Sequence, residues 1–226
     1  ITLLDIAGKI IASIISERLQ RQLAQIGLEC QCGFSPLKGC CDALFCLKSA
    51  LQKRREHQFD SWVLFVDLVK AFDTVNRQAL MLVLKKFGIP DWLVSLISRL
   101  HTDVKVKLKV GEADVTFDAT IAVKQGDNMA PVLFLFYIQA AIEKMDRDWP
   151  VDRPEFLFKM DSTVTGRPYT AKGARFNFWT SLYADDGGFI FNSRSDLKAG
   201  ARTVYICLLA FGLKMHVAGK TEELFV

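Results

Sequence analysis

The sequence predicts an α+β fold in which a sheet is backed by helices. Three observations carry that expectation. Residues 61–67, Ser-Trp-Val-Leu-Phe-Val-Asp, form a short and almost wholly apolar run, the pattern of a strand buried on both faces. Two strand–turn–strand segments, 104–123 and 176–191, alternate with stretches of helical periodicity. The resulting order is strand, helix, hairpin, helix, hairpin, helix, strand, which sets helices against a sheet.

Residues 3–26 are expected to be helical, with Leu4, Ile11, Ile14, Ile15 and Leu19 on an apolar face and Arg18, Gln20 and Arg21 opposite. A loop rich in Gly, Pro and Cys (27–39) leads to a second helix over 40–56, which ends in Lys53, Arg54 and Arg55. Such a cluster suits the C-terminal dipole as well as it suits phosphate. After strand 61–67 a helix is expected from residue 73, with Asp73 as its cap. Val75, Ala79, Leu80, Val83 and Phe87 share its apolar face, and Gly88-Ile89-Pro90 stops it. Asp91 is the expected N-cap of a helix over 92–101.

From 104 to 110 the chain alternates Val-Lys-Val-Lys-Leu-Lys-Val. That directs Lys105, Lys107 and Lys109 to one face of a strand, where three like charges meet either water or an anion. A turn at 111–114 leads into a partner strand, 115–123. Pro131 opens a helix over 129–145 whose centre, 132–138, is apolar all round and so expected to be packed on every side. Residues 146–173 have weak periodicity and are expected to be a long loop or insertion. Strand Phe176–Tyr183, the turn Ala184-Asp185-Asp186-Gly187 and strand Gly188–Phe191 follow. A helix over 195–211 ends at Gly212, and a last strand, 213–217, leads to Lys220.

The chain has 226 residues, half of them apolar, enough to bury one large core or two small ones. It begins without Met and stops just after a motif, so it is read as a fragment of something longer. A net charge of +4 and a pI near 8.7 are mildly basic and compatible with nucleic acid. The six cysteines are Cys30, Cys32, Cys40, Cys41, Cys46 and Cys207, with no secretory leader before them, so a disulfide framework is not expected. Their spacing fits no common zinc finger and the nearest histidine is His57; buried, reduced cysteine is the expectation. The apolar opening is interrupted by Asp5 and Lys9, short of the roughly 20 apolar residues a membrane span needs. A cytoplasmic or nuclear location, not secretion, is expected.

The chemistry lies with the acids. Asp67 ends a buried strand, and Asp185 and Asp186 sit in a tight turn between strands rich in Phe, Trp, Tyr and Ile. Asp is common in turns, so the pair alone has an ordinary structural reading. Tyr183-Ala184 before it and Gly187-Gly188 after it, however, fit a hairpin that holds acids at the edge of a core sheet. If the two strands are neighbours, three carboxylates converge. Two such charges about 4 Å apart repel by about 4 kcal/mol at an effective dielectric near 20. A site that keeps them together normally holds a cation, and oxygen-only ligands favour Mg²⁺. Two such ions about 3.5–4 Å apart suit phosphoryl transfer.

Four segments then resemble, in order, the motifs of reverse transcriptases, above all those of non-LTR retrotransposons and group II introns. Phe65-Val66-Asp67-Leu68-Val69-Lys70-Ala71-Phe72-Asp73 resembles motif A, and Lys124-Gln125-Gly126-Asp127-Asn128-Met129-Ala130-Pro131-Val132-Leu133-Phe134 resembles motif B. Tyr183-Ala184-Asp185-Asp186 resembles motif C, and Gly212-Leu213-Lys214-Met215-His216-Val217-Ala218-Gly219-Lys220-Thr221-Glu222 motif D. Upstream, Gln31-Cys32-Gly33-Phe34 and the helix ending Glu17-Arg18-Leu19 resemble fingers motifs.

The resemblance implies a polymerase right hand: fingers over 1–60 and a palm over 61–226. The palm would be an antiparallel, ferredoxin-like sheet backed by helices, with a fingers-like insertion around 88–124, a loop insertion at 146–173, and the thumb missing. It implies an RNA-directed DNA polymerase that adds dNTPs to a DNA primer 3′-hydroxyl on an RNA template, with two Mg²⁺ ions (Mn²⁺ as a substitute). Asp67 and Asp185 would ligate both metals, Asp186 would be the outer acid, and the carbonyl of Leu68 would touch the nucleotide-bound metal. Phe72 would exclude a ribose 2′-hydroxyl, Gln125 and Gly126 would contact nucleotide and template, and Lys220 would lie near the triphosphate. Tyr183, Lys105, Lys107, Lys109, Arg54 and Arg55 become candidates for nucleic-acid contact.

The sequence departs from the pattern at Asp127, where the family often has Cys, at Ala130 for Ser, and at His216 for Asn. Ser35 stands where an Arg commonly grips triphosphate, leaving Lys38 as the nearest substitute. Two other readings compete. An RNA-dependent RNA polymerase usually writes Gly-Asp-Asp and places an Asp where this chain has Phe72. A catalytically silent, domesticated or decayed RNA-binding scaffold would suit the altered motif B, although such modules tend to lose the metal acids retained here.

Overall fold

The central sheet has the strand order β6-β7-β1-β8, with every neighbouring pair antiparallel. It belongs to a computed structural model that describes residues 6–102, 105–111, 113–118, 123, 127–158, 174–216 and 220–226. In chain order the elements are α1 (Ile6–Ile26), α2 (Cys40–Glu56), β1 (Trp62–Val66), α3 (Ala71–Thr74), α4 (Arg77–Lys86), α5 (Asp91–Leu100), β2 (Lys105–Val110) and β3 (Ala113–Asp118). They continue as α6 (Ala130–Arg147), β4 (Glu155–Phe158), β5 (Ala174–Asn177), β6 (Thr180–Tyr183), β7 (Asp186–Phe191), α7 (Arg194–Ala210) and β8 (Glu222–Phe225). The expected α+β architecture, an antiparallel sheet backed by helices, is therefore present.

Side-chain alternation gives the sheet two different faces. Leu64 and Val66 of β1 join Phe189 and Phe191 of β7 in the main core, beneath α6 and α7. Val63 of β1 and Ile190 of β7 point the other way and pack with Leu47 and Leu51 of α2, with Phe65 beside them. The even positions Asp186 and Gly188 of β7 therefore share the α2 side of the sheet with Phe65 and the residue two beyond it, Asp67.

Helix α6 is the hub of the main core. Every residue from Val132 to Gln139 is buried, as its unbroken apolar centre predicts. The Tyr137 hydroxyl donates to the Phe211 carbonyl (2.6 Å) at the end of α7, and Gln139 Nε2 donates to the Ile26 carbonyl (2.8 Å) at the end of α1. Desolvation raises the Tyr137 pKa. Polar groups on an otherwise apolar helix thus close the orphan carbonyls of its two neighbours.

Several expectations are corrected. The buried stripe of α1 is Ala12, Ile15, Ser16 and Leu19, while Ile11 and Ile14 are exposed, because the face toward α6 is rotated from the one inferred. Asp73 lies inside α3, whose N-cap is Lys70, and Asn76 caps α4 by accepting from the Ala79 amide (3.0 Å). Asp91 is the first residue of α5 and pairs with Lys85 (2.9 Å). Part of the expected 146–173 loop is strand β4, paired with β5. The single strand expected at 176–183 is broken at Phe178–Trp179 into β5 and β6. Of the strand expected at 213–217, the described residues 213–216 make one bridge, Met215 to Leu68, while 217 lies outside the described residues; a further strand, β8, pairs with β1. Cys40, Cys41 and Cys46 are exposed on α2 rather than buried.

Gly200 of α7 shows how closely the helix seats on the sheet. A Cβ added there would collide with the Phe191 ring. In an open helix Gly→Ala stabilises by up to about 1 kcal/mol; overpacking a filled core costs about 1–3 kcal/mol. Overpacking wins here, so Gly200→Ala is expected to lower stability by about 1–2 kcal/mol, read as a reduced midpoint in urea unfolding.

Candidate active site

β1 delivers Asp67 and the β6–β7 turn delivers Asp185 and Asp186. The β1–β7 register pairs Phe65 with Gly188 and Val66 with Gly187, so the next residue, Asp67, comes opposite Asp186. The turn is shorter than the expected 184–187: Tyr183 pairs with Asp186, leaving Ala184 and Asp185 as its two residues and Asp186 as the first residue of β7. Asp67, Asp186 and Tyr183 lie on the α2 side of the sheet. There Asp67, Tyr183, Asp186 and Lys220 line a cleft of about 250 Å³ with Leu44 and Leu47. The walls are mostly apolar and the charged groups sit at one end.

The charges feel one another. The Asp186 carboxyl is pushed above the ordinary aspartate value, first by desolvation, then by the charges of Asp185 and Asp67, with Lys220 opposing. Lys220 Nζ lies 3.1 Å from Asp67 Oδ2, and His216 Nε2 lies 3.8 Å from the same oxygen. The segment after α7 is held alongside the acid. The His216 amide donates to the Asp67 carbonyl (2.9 Å) and the Val69 amide to the Lys214 carbonyl (2.7 Å). In such a ladder the intervening Leu68 turns its own amide and carbonyl away from 214–216.

The donor chemistry fits a hard divalent cation: carboxylate oxygens, a like-charge excess and a backbone carbonyl free of that ladder. Among the described residues no three potential ligands close into a cage around an ion. An open edge of this kind suits Mg²⁺, which keeps several waters and is typically held by one or two carboxylates plus substrate phosphates.

Phe72 follows from α3. Its ring stacks on buried Phe134 of α6 (centroids 4.5 Å) and meets the edge of Phe34 (6.2 Å), between the 27–39 loop and the core. The Phe72 carbonyl accepts from the Val123 amide (3.2 Å). Gln125 and Gly126 lie outside the described residues. Just past them, Asp127 is buried and its Oδ1 accepts from the Met129 amide (3.0 Å) at the start of α6. The unexpected acid of the motif-B segment thus closes a side-chain turn just before α6, and Asn128 Nδ2 donates to Ser13 Oγ of α1 (2.6 Å).

The remaining candidates are dispersed. Lys38 is tied to the Glu29 carbonyl (2.8 Å), closing its own loop. Arg54 departs from the expectation of a solvent-facing or phosphate-facing cluster. It is buried, and it donates to Ser61 Oγ (2.7 Å) and the Asp60 carbonyl (2.6 Å), joining α2 to β1. Arg55 is exposed. Lys105, Lys107 and Lys109 lie on β2, paired with Asp118, Thr116 and Asp114 of β3; their side chains lie outside the described parts of the structure.

The sequence profile of the family described as "Reverse transcriptase (RNA-dependent DNA polymerase)" matches residues 1–224. The chain is 32% identical over 89 residues (39% of this chain, 15% of the relative) to a retrovirus-related Pol polyprotein from a type-1 retrotransposable element R2 of Popillia japonica. It is 28% identical over 105 residues (46% and 10%) to the Pol polyprotein of the type-2 element R2DM of Drosophila melanogaster. The matched regions thus span a small fraction of these relatives' length. Telomerase from Candida tropicalis, solved in complex with a TWJ fragment of telomeric RNA, superposes with a TM-score of 0.69 at 12% identity over 96% of this chain and 34% of that one. Its apo form truncated from the C-terminal domain gives 0.65 at 13% identity over 95% and 40%. At that identity the likeness is one of fold. No helix among the described residues is long and apolar enough to cross a membrane.

A raised Asp186 makes a pH prediction. Its charged form is disfavoured in the fold, so its penalty is full above the raised value and is relieved as pH falls through that value. Without divalent cation, the melting temperature of Asp186→Asn should exceed that of the parent chain at neutral pH. The difference should shrink on acidification, read by thermal melts in chelator across a pH series.

Proposed function

This chain belongs to the reverse transcriptase (RNA-dependent DNA polymerase) family, and from that premise we propose that it is the fingers-and-palm core of an active RNA-directed DNA polymerase of non-LTR retrotransposon type. The fingers correspond to 1–60 and the palm to 61–226, with insertions at 88–124 and 146–173. The observation that carries the reading is the opposition of Asp67 and Asp186 across β1 and β7, with Asp185 in the adjoining turn.

Asp67 and Asp185 would hold two Mg²⁺ ions (or Mn²⁺), with Asp186 as the outer acid and the Leu68 carbonyl toward the nucleotide. When bound, such ions neutralise charge on the reacting phosphates. The primer 3′-hydroxyl attacks the dNTP α-phosphate in line and pyrophosphate leaves; positioning and charge neutralisation supply most of the rate. Lys220, beside Asp67, offsets charge on the departing pyrophosphate. Phe72, braced between Phe34 and Phe134, presents a fixed ring against the sugar, and a 2′-hydroxyl would strike it. Gln125, Gly126 and Lys38 serve the incoming nucleotide. Tyr183 is partly exposed beside the acids and serves the primer strand, while Arg55 and the β2 lysines serve the backbone of the RNA template and DNA primer. Arg54, committed inside the fold, is left out. The buried Asp127 carboxylate is engaged by the Met129 amide in the turn before α6, a structural use that removes one argument for the silent-scaffold alternative.

Primer extension on an RNA template with dNTPs and Mg²⁺ tests this. The parent chain, carried through the segment that follows it in the full protein, should extend the primer. Asp185→Ala with Asp186→Ala should lose on the order of 10³-fold or more of that activity. Extension by neither, with RNA binding retained, would favour the scaffold. In the same assay Phe72→Ala should raise ribonucleotide use relative to dNTP use by roughly 10–100-fold.

A further inference from the structure

The turn that carries Asp185 and Asp186 has backbone groups that its hairpin leaves without partners. Ala184, the first of the two turn residues, has φ +55° and is 4% exposed. It sits in the left-handed region that glycine occupies without steric cost. The ladder ends at the Tyr183–Asp186 pair, so the Ala184 amide and carbonyl need partners from elsewhere, because buried peptide groups are almost always paired.

One side chain supplies both. Gln31 is 7% exposed. Its Oε1 accepts from the Ala184 amide (2.9 Å) and its Nε2 donates to the Ala184 carbonyl (3.2 Å). The same Oε1 accepts from the Gly33 amide (2.8 Å), fixing the side chain to its own loop. The backbone around it is docked as well. The Cys32 amide donates to the Leu182 carbonyl and the Leu182 amide to the Cys30 carbonyl, both at 2.9 Å, as a parallel bridge along the edge of β6. Gly33 presses on the turn so closely that a Cβ there would collide with the Ala184 backbone nitrogen.

We infer that Gln31 is a positioning residue for the proposed reaction. Its carboxamide holds the left-handed Ala184 peptide and so fixes the direction in which Asp185 and Asp186 face Asp67. A carboxamide presents a donor and an acceptor in one plane, matching a peptide. Glutamate would keep the acceptor and lose the donor, and alanine would lose both. The loop before α2 thereby reaches across 153 residues of sequence to set the acids. The catalytic part of the inference rests on the polymerase reading; the geometric part does not.

The test compares the full protein with its Gln31→Ala and Gln31→Glu variants in three measurements. These are steady-state primer extension, a Tb³⁺ luminescence titration that needs no turnover, and amide exchange at Ala184. A misplacement near 1 Å costs on the order of 10²-fold in rate. Gln31→Ala should therefore lower kcat by about that factor, change the dNTP KM by less than about threefold, weaken Tb³⁺ binding and speed exchange at Ala184. Gln31→Glu should fall between parent and Gln31→Ala in kcat and Tb³⁺ midpoint, and it carries the comparison if Gln31→Ala does not fold. Parental kcat, Tb³⁺ midpoint and Ala184 exchange in Gln31→Ala would overturn the inference. So would a loss of kcat with Tb³⁺ binding and exchange unchanged. If the parent itself extends no primer, the polymerase reading fails, and Tb³⁺ binding with Ala184 exchange still decides the clamp.

Discussion

The antiparallel register of β1 against β7, which sets Asp67 opposite Asp186 with Asp185 in the adjoining turn, is the constraint on which the rest of this structure depends. Each acid alone would be unremarkable at a strand end or a turn. Where they meet, desolvation and then the charges of Asp185 and Asp67 raise the cost of ionising Asp186. The fold holds them in place through two features of an antiparallel sheet. The register sets Asp67 opposite Asp186, and side-chain alternation sends both to the same face. A one-residue slip would reverse that face and bury the acids against α6 and α7. The apolar partners of β1 and β7, which fit only one way, therefore protect the site as well as the core.

Among the described residues, Lys220 brings an ammonium against Asp67 from the segment after α7. Residues 214–216 run beside 67–69, β8 continues along β1, and Lys220 between them lies against Asp67. The pair is exposed on the lysine side, so its contribution to stability is small. Its meaning is positional: it sets an ammonium beside Asp67 at the edge of the cleft. The neighbouring aromatic trio Phe34, Phe72 and Phe134 supplies rigidity instead, because its innermost ring is fully buried in α6.

Much of this was legible in the sequence. The apolar run before Asp67, the Asp-Asp turn and the apolar centre of α6 each reflect local patterns that survive in the structure. The misses have physical causes. β8 is exposed and begins Glu-Glu, so it shows no apolar alternation, whereas residues 213–216 alternate in sequence but make a single bridge. β4 has four residues and a partner beyond a long intervening segment, too little for periodicity to register. Arg54 reads as one of three surface cations because a buried guanidinium paired to Ser61 and the Asp60 carbonyl leaves no mark in local sequence. Gln31 and Asp127 fall within motifs legible in the sequence, but their partners, a distant turn and the turn before α6, exist only in three dimensions.

Convergence of the acids on a common cation is tested most directly by titrating Mn²⁺ into the isotope-labelled chain and following amide resonances. Early and joint broadening at Asp67, Leu68, Asp185 and Asp186, abolished in Asp67→Asn, is the expected result. Broadening at 185–186 with 67–68 left sharp, or at neither, would contradict a shared site.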